Sequence, residues 1–395
     1  MFRGNVIAQI IAIIASIFLA KLYGSNAYGL FGTFISAVTI ISIINTLQLE
    51  NGIIISKSKK SSENWFRFLF LLIPLITLVL FLGYTIYNTP LINSKLVLLI
   101  IITSIILSLN KSFDAIFTFS KTFKNISNGK IILTLSNILF QFIFFYYYKT
   151  LGLILGFVIA STLLLIYYLF KSKTSFKKIN KPILKRDFKE HSSLIRYLLP
   201  SSTLNGFALH LMPILILAVF STKEAGEYFL SLKILLAPLF LLSTSVSQVF
   251  YQKSSDLYHH KKKELFAISK KIVMLNTSLM LVSIILINTV GVYALEYFLD
   301  KDWNNLKHFI FLLSFLVLAR ATFNPISSLI VVLNKNHVGL IFNIYLLLGN
   351  LLAVYLGYLN NSITYTIIIS VIFGIIGYLS LLIYFLSYLK KLQNV

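Results

Sequence analysis

Twelve apolar runs constrain this chain more than any other feature. They lie at about 5–20, 30–47, 65–87, 96–109, 131–148, 151–170, 197–220, 227–250, 272–294, 308–333, 338–358 and 364–387. A helix that crosses the hydrocarbon core of a bilayer needs roughly 20 apolar residues, so each run reads as one span. The first and fourth are short and are expected to extend into flanking polar residues. Ile, Leu and Phe dominate and no period-two alternation persists, which argues against a membrane β-barrel. Composition agrees: 57% of the 395 residues are apolar and 12% charged, whereas a soluble domain is roughly half apolar and about a quarter charged. An ordinary water-soluble enzyme is therefore excluded. The absence of Cys removes disulfides, thiol nucleophiles and Cys-ligated zinc.

The net charge of +23 does not point to nucleic acid, because the basic residues stand between the spans. With the N-terminus placed in the cytoplasm, inner connections hold 27 of the 35 Lys and Arg and outer connections hold 6. That asymmetry is the positive-inside signature. It predicts twelve helices with both termini cytoplasmic. Arg3 followed by an apolar stretch to Ala20 resembles a signal peptide, but eleven more spans follow and no small-x-small site precedes a soluble domain. It reads as an uncleaved first helix.

The longest connection, 171–196, is basic, carries nine Lys and Arg and contains Pro182. It divides the chain into a six-helix lobe at 1–170, a cytoplasmic linker at 171–196 and a second six-helix lobe at 197–395. LAKLYGSNAYGLF at 19–31 and LAVFSTKEAGEYF at 217–229 echo one another, each closing one span and opening the next, with Gly29 and Gly226 at the turn. Six being even, the halves share one membrane orientation. The expected fold is an all-α polytopic protein, a parallel internal repeat with a central polar cavity between lobes.

Two of the 35 basic residues belong to neither side. Lys233 lies in the eighth span, where positions 226, 233, 237, 244 and 248 share a helical face that reads Gly, Lys, Ala, Thr, Gln beside Pro238. Arg320 lies in the tenth, sharing a face with Asn324, Ser327 and Ser328 beside Pro325. A charge at mid-bilayer costs about 2.5–3.5 kcal/mol on the most lenient scale, so such residues face a bundle interior or water. The competing reading for Lys233 is snorkelling to the outer interface. The seventh span adds Thr203, Gly206, His210 and Pro213; the first, second and fourth carry weaker polar stripes that correspond by position. The expected substrate-binding set is Lys233, Arg320, His210, Gln248, Asn324 and Thr203. Glu50 and Asp114, acids at the cytoplasmic end, are candidates for coupling or gating, although Asp114 could simply pair with Lys111. A cationic centre favours an anion such as a phosphate.

Enzyme signals are poor. Asp300-Lys301-Asp302 resembles a metal-binding D-x-D but falls in a short outer loop, and His259-His260 sits beside three lysines. No phosphate-binding glycine loop, dinucleotide fingerprint or zinc-protease motif is present. No catalytic residue, metal or cofactor is expected.

GEYFLSLKILLAPLFLL (226–242), SVSQVFYQKSSD (245–256), LAKLYGSNAYGLFGTF (19–34), TLQLENGIIISKS (46–58), SFDAIFTFSKTFKNIS (112–127), DKDW (300–303) and NPISSL (324–329) together resemble, in order, the bacterial polysaccharide repeat-unit flippases (Wzx-like) of the multidrug/oligosaccharidyl-lipid/polysaccharide exporter superfamily. The resemblance runs essentially the length of the chain. It implies translocation of undecaprenyl-diphosphate-linked oligosaccharide across the bacterial cytoplasmic membrane by alternating access of two lobes, for O-antigen or capsule synthesis. It also implies membrane lipids as neighbours and the polymerase and chain-length proteins of surface polysaccharide assembly as partners. Two alternatives stand beside it. A cation-coupled multidrug exporter of the same superfamily would favour deep acids, whereas the deep charges here are basic. A polytopic polymerase or glycosyltransferase would carry a long outer catalytic loop, and the longest outer loop here is about 295–307. A lipid II flippase usually has two further helices.

Overall fold

A computed structural model of the chain describes residues 2–87, 94–172, 179–190, 199–260, 262–299 and 302–392. The described residues are almost wholly helical. In order they form α1 (Phe2–Thr46), α2 (Glu50–Ile54), α3 (Lys59–Tyr87), α4 (Ser94–Phe119), α5 (Phe123–Tyr148), α6 (Gly152–Lys171), α7 (Lys181–Glu190) and α8 (Leu199–Val219). Then come α9 (Thr222–His260), α10 (Lys262–Leu286), α11 (Val292–Phe298), α12 (Leu306–Phe323), α13 (Leu329–Val332), α14 (Asn336–Leu359) and α15 (Ile363–Leu392). A π turn at Ile287–Gly291 joins α10 to α11.

Nine stretches among the described residues are long and apolar enough to cross a membrane. Two of them hold two rods each: α1 breaks at Gly24, whose φ of 75° lies in the left-handed region, and α5 and α6 are divided by a short 3-10 turn at Lys149–Leu151. With α9 the rods number twelve, as the apolar runs predict. Lipid-facing surfaces follow helical spacing. On α3, Leu71, Leu75, Leu78 and Leu82 are all exposed, which water would not tolerate over so large a patch.

Helix ends carry recognisable stops. Lys121, Asn334 and Asn361 have φ near +50°. The following amides reach back to Phe117, Ile330 and Gly357 carbonyls, closing three Schellman motifs.

The 171–196 connection departs from expectation. Pro182 does not break a coil; it occupies the first turn of α7, where its missing N–H costs nothing. Residues 173–178 and 191–198 lie outside the described residues.

The chain forms two compact units. The first comprises Met1–Ala15 and Phe31–Ile214, the second Ser16–Leu30 and Leu215–Val395. These units are not the linear pieces 1–170 and 197–395: residues 16–30 fold with the second unit and 199–214 with the first. Close helix packing explains the first exchange. A Cβ on Gly29 would collide with the Thr222 carbonyl, and one on Gly226 would collide with the Ser25 carbonyl. The contact is reciprocal, each sequence echo meeting its copy through the same two positions. Thr222 Oγ1 donates to Asn26 Oδ1 beside it (2.7 Å).

Within the first unit, α5 and α6 pack as a pair, with Gln141 Nε2 donating to the Leu153 carbonyl (3.0 Å). A core of Trp65, Phe66, Phe113, Phe117 and Tyr168 ties α3, α4 and α6. Within the second, Asn276 Nδ2 of α10 donates to the Ala321 carbonyl of α12 (2.8 Å), and Asn288 of the π turn donates to Ser314 Oγ (2.8 Å).

Candidate functional site

Lys233 occupies the fourth turn of α9, the helix that the Gly29–Gly226 crossing anchors. Its Nζ lies 5.8 Å from the ring centroid of Tyr28, a ring supplied by the 16–30 segment. Tyr28 is itself buried. Its hydroxyl donates to the Ser16 carbonyl (2.6 Å), and Trp303 meets its ring edge-on at 5.7 Å. A cation over a desolvated aromatic face gains about 0.5–2 kcal/mol, so the ring compensates part of the charge without neutralising it. Lys233 has no ion pair with a described residue.

Arg320 lies in the last turn of α12 and is half-buried. Its guanidinium has no hydrogen bond or ion pair to a described residue. The helix C-terminus favours a cation there but offers no specific acceptor. Asn324 opens a 3-10 turn at Asn324–Ile326, and Pro325 explains why α12 stops. The Asn324 carbonyl accepts from Ser247 Oγ (3.3 Å) and Ser327 Oγ (2.8 Å). Its side-chain amide makes no such bond to a described residue. Beside it, Ser328 Oγ is buried without a partner. The Gln248 side chain, and those of His259 and His260, lie outside the described residues, as do Asp300 and Lys301.

Lys233 and Arg320 do not stand at one level. Glu227 Oε1 of α9 accepts the Asn305 N–H at the start of α12 (3.0 Å), and Ser247 of α9 meets Asn324 at its end. The two helices therefore run side by side, in the same direction and in step. On that register Lys233 is level with position 311, and the two basic residues are about 14 Å apart along the axes at about 1.5 Å per residue.

The first unit holds the remaining expected residues. Thr203 and His210 lie on α8, both half-buried. Their shared face, through Gly206, packs on Ile43 of α1. Glu50 opens α2 after two left-handed residues, Leu47 (φ 48°) and Gln48 (φ 57°). A left-handed leucine costs roughly 1–2 kcal/mol, so neighbouring structure over-determines this turn. Glu50 Oε2 is buried with no hydrogen-bond partner among the described residues.

Asp114 does not pair with Lys111. Its Oδ1 accepts the Tyr168 hydroxyl of α6 (2.6 Å), because its side chain points toward α6 and not along its own helix. Lys111 points the other way, donating to Ser42 Oγ of α1 (2.8 Å). There it feels the Glu50 carboxylate without forming an ion pair. Ser108 donates to the Ser42 carbonyl (3.4 Å) and Asn45 Nδ2 to Ser104 Oγ (3.4 Å), so α1 and α4 meet along a polar seam.

Sequence reasoning missed the surroundings of two charges, the half-buried Lys111 and the fully buried Glu227. A basic residue near a span end fits the inner-surface pattern, and Lys111 counts among the 27 inner residues for that reason. Glu227 stands at the first position of the eighth apolar run and is not among the expected site residues, yet it is fully buried and its Oε2 has no partner among the described residues. The adjacent Gly226 is the signal that could have found it: a glycine-mediated helix crossing buries whatever follows. Among the described residues no cluster of His, Cys, Asp and Glu is arranged to hold a metal ion.

The structure is similar over nearly its whole length to solved transporters of the MOP superfamily. An inward-facing multidrug resistance MATE family transporter of that superfamily matches with a TM-score of 0.69 at 13% identity, covering 97% of this chain and 96% of that one. The lipid II flippase MurJ in an inward closed conformation matches with a TM-score of 0.67 at 16% identity, covering 97% and 87%. A MOP superfamily transporter from Pyrococcus furiosus, described as having a binding pocket of reversed polarity, matches with a TM-score of 0.57 at 13% identity, covering 98% and 96%. No curated protein matches in sequence. At these identities the likeness establishes the fold alone, the twelve-helix, two-lobe architecture that those proteins share. A family profile described as polysaccharide biosynthesis protein matches residues 1–251, and this chain belongs to that family.

Proposed function

We propose that this protein is a flippase that carries undecaprenyl-diphosphate-linked oligosaccharide from the cytoplasmic to the outer leaflet of the bacterial cytoplasmic membrane. It would supply O-antigen or capsule assembly and present its product to a polymerase and chain-length partner. Both termini are cytoplasmic in this reading, and the two lobes work by alternating access without catalysing a covalent step. Membership of the polysaccharide biosynthesis family and the fold shared with a lipid II flippase support a lipid-linked sugar substrate.

The observation that carries the choice of an anionic cargo is the state of the deep charges in the second unit. Lys233 and Arg320 are basic, lie within spans and have no carboxylate partner among the described residues. An exporter of cationic drugs would place acids at such positions. Their separation of about 14 Å exceeds the span of one diphosphate, so they serve as two stations along a path. Asn324 and Gln248, level with one another about a turn beyond Arg320, would add hydrogen bonds, and Thr203 and His210 are proposed to supply further ones. Glu50 is the candidate for coupling, being a buried carboxylate with an unused oxygen; Asp114 is proposed to act more weakly, through its bond to Tyr168.

The test is flux of a fluorescent polyprenyl-diphosphate oligosaccharide in proteoliposomes. Lys233→Gln and Arg320→Gln should each lower flux roughly 10- to 100-fold, the worth of a charge-assisted hydrogen bond, with the thermal midpoint unchanged. Wild-type flux from both variants, correctly folded, would overturn the assignment.

A further inference from the structure

We infer that α7 is a docking surface for the anionic phospholipid headgroups of the bilayer leaflet beside α3. The argument starts from how α7 is held. Asp187 is buried, and Ser61 Oγ of α3 donates to its Oδ2. Phe188 packs on Trp65 (4.5 Å between ring centroids) and on Phe68 (5.7 Å). Just before the helix, Asn180 and Asn64 exchange two hydrogen bonds of 2.8 and 2.9 Å. Helix α7 therefore lies against the flank of α3 over residues 61–68, not beyond its tip.

One turn further along α3 the lipid-exposed surface begins, at Phe70 (36% exposed), Leu71 (61%) and Leu75 (58%). A helix seated immediately before that boundary is at headgroup depth. Leu184, Asp187 and Phe188 face the protein, and Lys181, Lys185 and Lys189 fall on the flank of the helix roughly a quarter-turn away, all exposed. Their spacing of four residues makes a stripe about 12 Å long. Unlike Arg186, which pairs with Asp187 and Glu190, and Lys57, which pairs with Glu190, these three have no ion pair with a described residue. The internal acids are spent on docking and on Arg186 and Lys57, so that flank carries uncompensated positive charge. Lysines at an anionic leaflet are each attracted by its surface potential. The polar linker is thereby fastened twice, by packing to α3 and by charge to lipid.

The test uses the full-length protein in nanodiscs of phosphatidylcholine, or with part of it replaced by phosphatidylglycerol, reading amide hydrogen exchange across 181–190. Exchange here reports local opening of α7. Phosphatidylglycerol should slow it roughly 10- to 100-fold, and about 1 M salt, with a Debye length of about 3 Å, should abolish the slowing. K181Q/K185Q/K189Q should exchange at the wild-type rate in phosphatidylcholine and lose the response to phosphatidylglycerol. K121Q/K124Q, at a different exposed turn, should keep it. The proposal is overturned if exchange is equal in the two lipids, if the triple variant still responds, or if K121Q/K124Q loses the response equally. It is also overturned if a polyprenyl-diphosphate lipid or a soluble acidic peptide protects α7 while phosphatidylglycerol does not. None of these outcomes bears on transport itself.

Discussion

The two units treat the charges within their helices in opposite ways, apart from Glu227, which lies in the second unit and accepts the Asn305 N–H. In the first, each deep charge but one is tied to a neighbour: Lys111 to Ser42, Asp114 to Tyr168, Asp187 to Ser61. The seam between α1 and α4 is a ladder of hydroxyls and amides. In the second, the helices α1 and α9 meet glycine to glycine, and the half-buried Lys233 and Arg320 beyond that crossing have no ionic partner among the described residues. A buried charge with a fixed partner builds structure, since removing one member leaves the other stranded. A buried charge without one is expensive in every state except the one in which a ligand arrives. The contrast teaches where to look for cargo: the unpaired cations of the second unit, and in the first unit only Glu50.

The largest effect expected is on the frame that holds the second unit together. Gly226→Val would drive a branched side chain into the Ser25 carbonyl, and backbone cannot give way cheaply; no monodisperse protein should be recovered. Gly83→Ala, at a position with open space around it, should leave yield and thermal midpoint unchanged or slightly raised, because Ala favours a helix over Gly. Equal tolerance at both sites would mean the crossing is not what organises the unit.

Next comes the tied charge of the first unit. Asp114→Asn weakens the bond from Tyr168 and should cost about 1–3 kcal/mol, read as a lower midpoint in detergent. Flux per folded molecule should fall only slightly, in keeping with the weaker role proposed for Asp114, the reverse of the pattern for Arg320→Gln. Tyr168→Phe should cost a similar amount, and the double variant should cost less than the two together, because they share one interaction. A large loss of flux at unchanged stability in Asp114→Asn would move this residue from structure to transport.

The smallest effect sharpens the reading of Lys233. Tyr28→Phe removes the hydrogen bond to the Ser16 carbonyl, worth about 1 kcal/mol, but keeps the ring face under the ammonium. Stability should fall slightly and flux should persist. If flux collapses, the phenol and not the ring is what Lys233 depends on.

The helices were legible because spanning a bilayer imposes a length and a polarity on every run, and twelve runs became twelve rods. The boundaries of the compact units were less so. Residues 16–30 join the second unit through a backbone-to-backbone crossing, and the echo at 19–31 and 217–229 revealed the repeat but not that each copy packs on the other. The site was legible in part. Lys233 and Arg320 were conspicuous because charge is rare in apolar runs. Their difference in level required two hydrogen bonds between α9 and α12, which no spacing within one helix can supply. Glu227 and Lys111 escaped because near a span end the same residue type can face water or protein.

Periodicity and charge alone determined a basic, twelve-span helical membrane protein with an internal repeat and two misplaced cations, because hydrophobic length and the positive-inside bias act on each segment independently. Which charges are tied and which are left bare was decided only by tertiary structure. Partnership depends on where a neighbouring helix puts its hydroxyl, carbonyl or ring, and that is a property of packing between segments far apart in the chain.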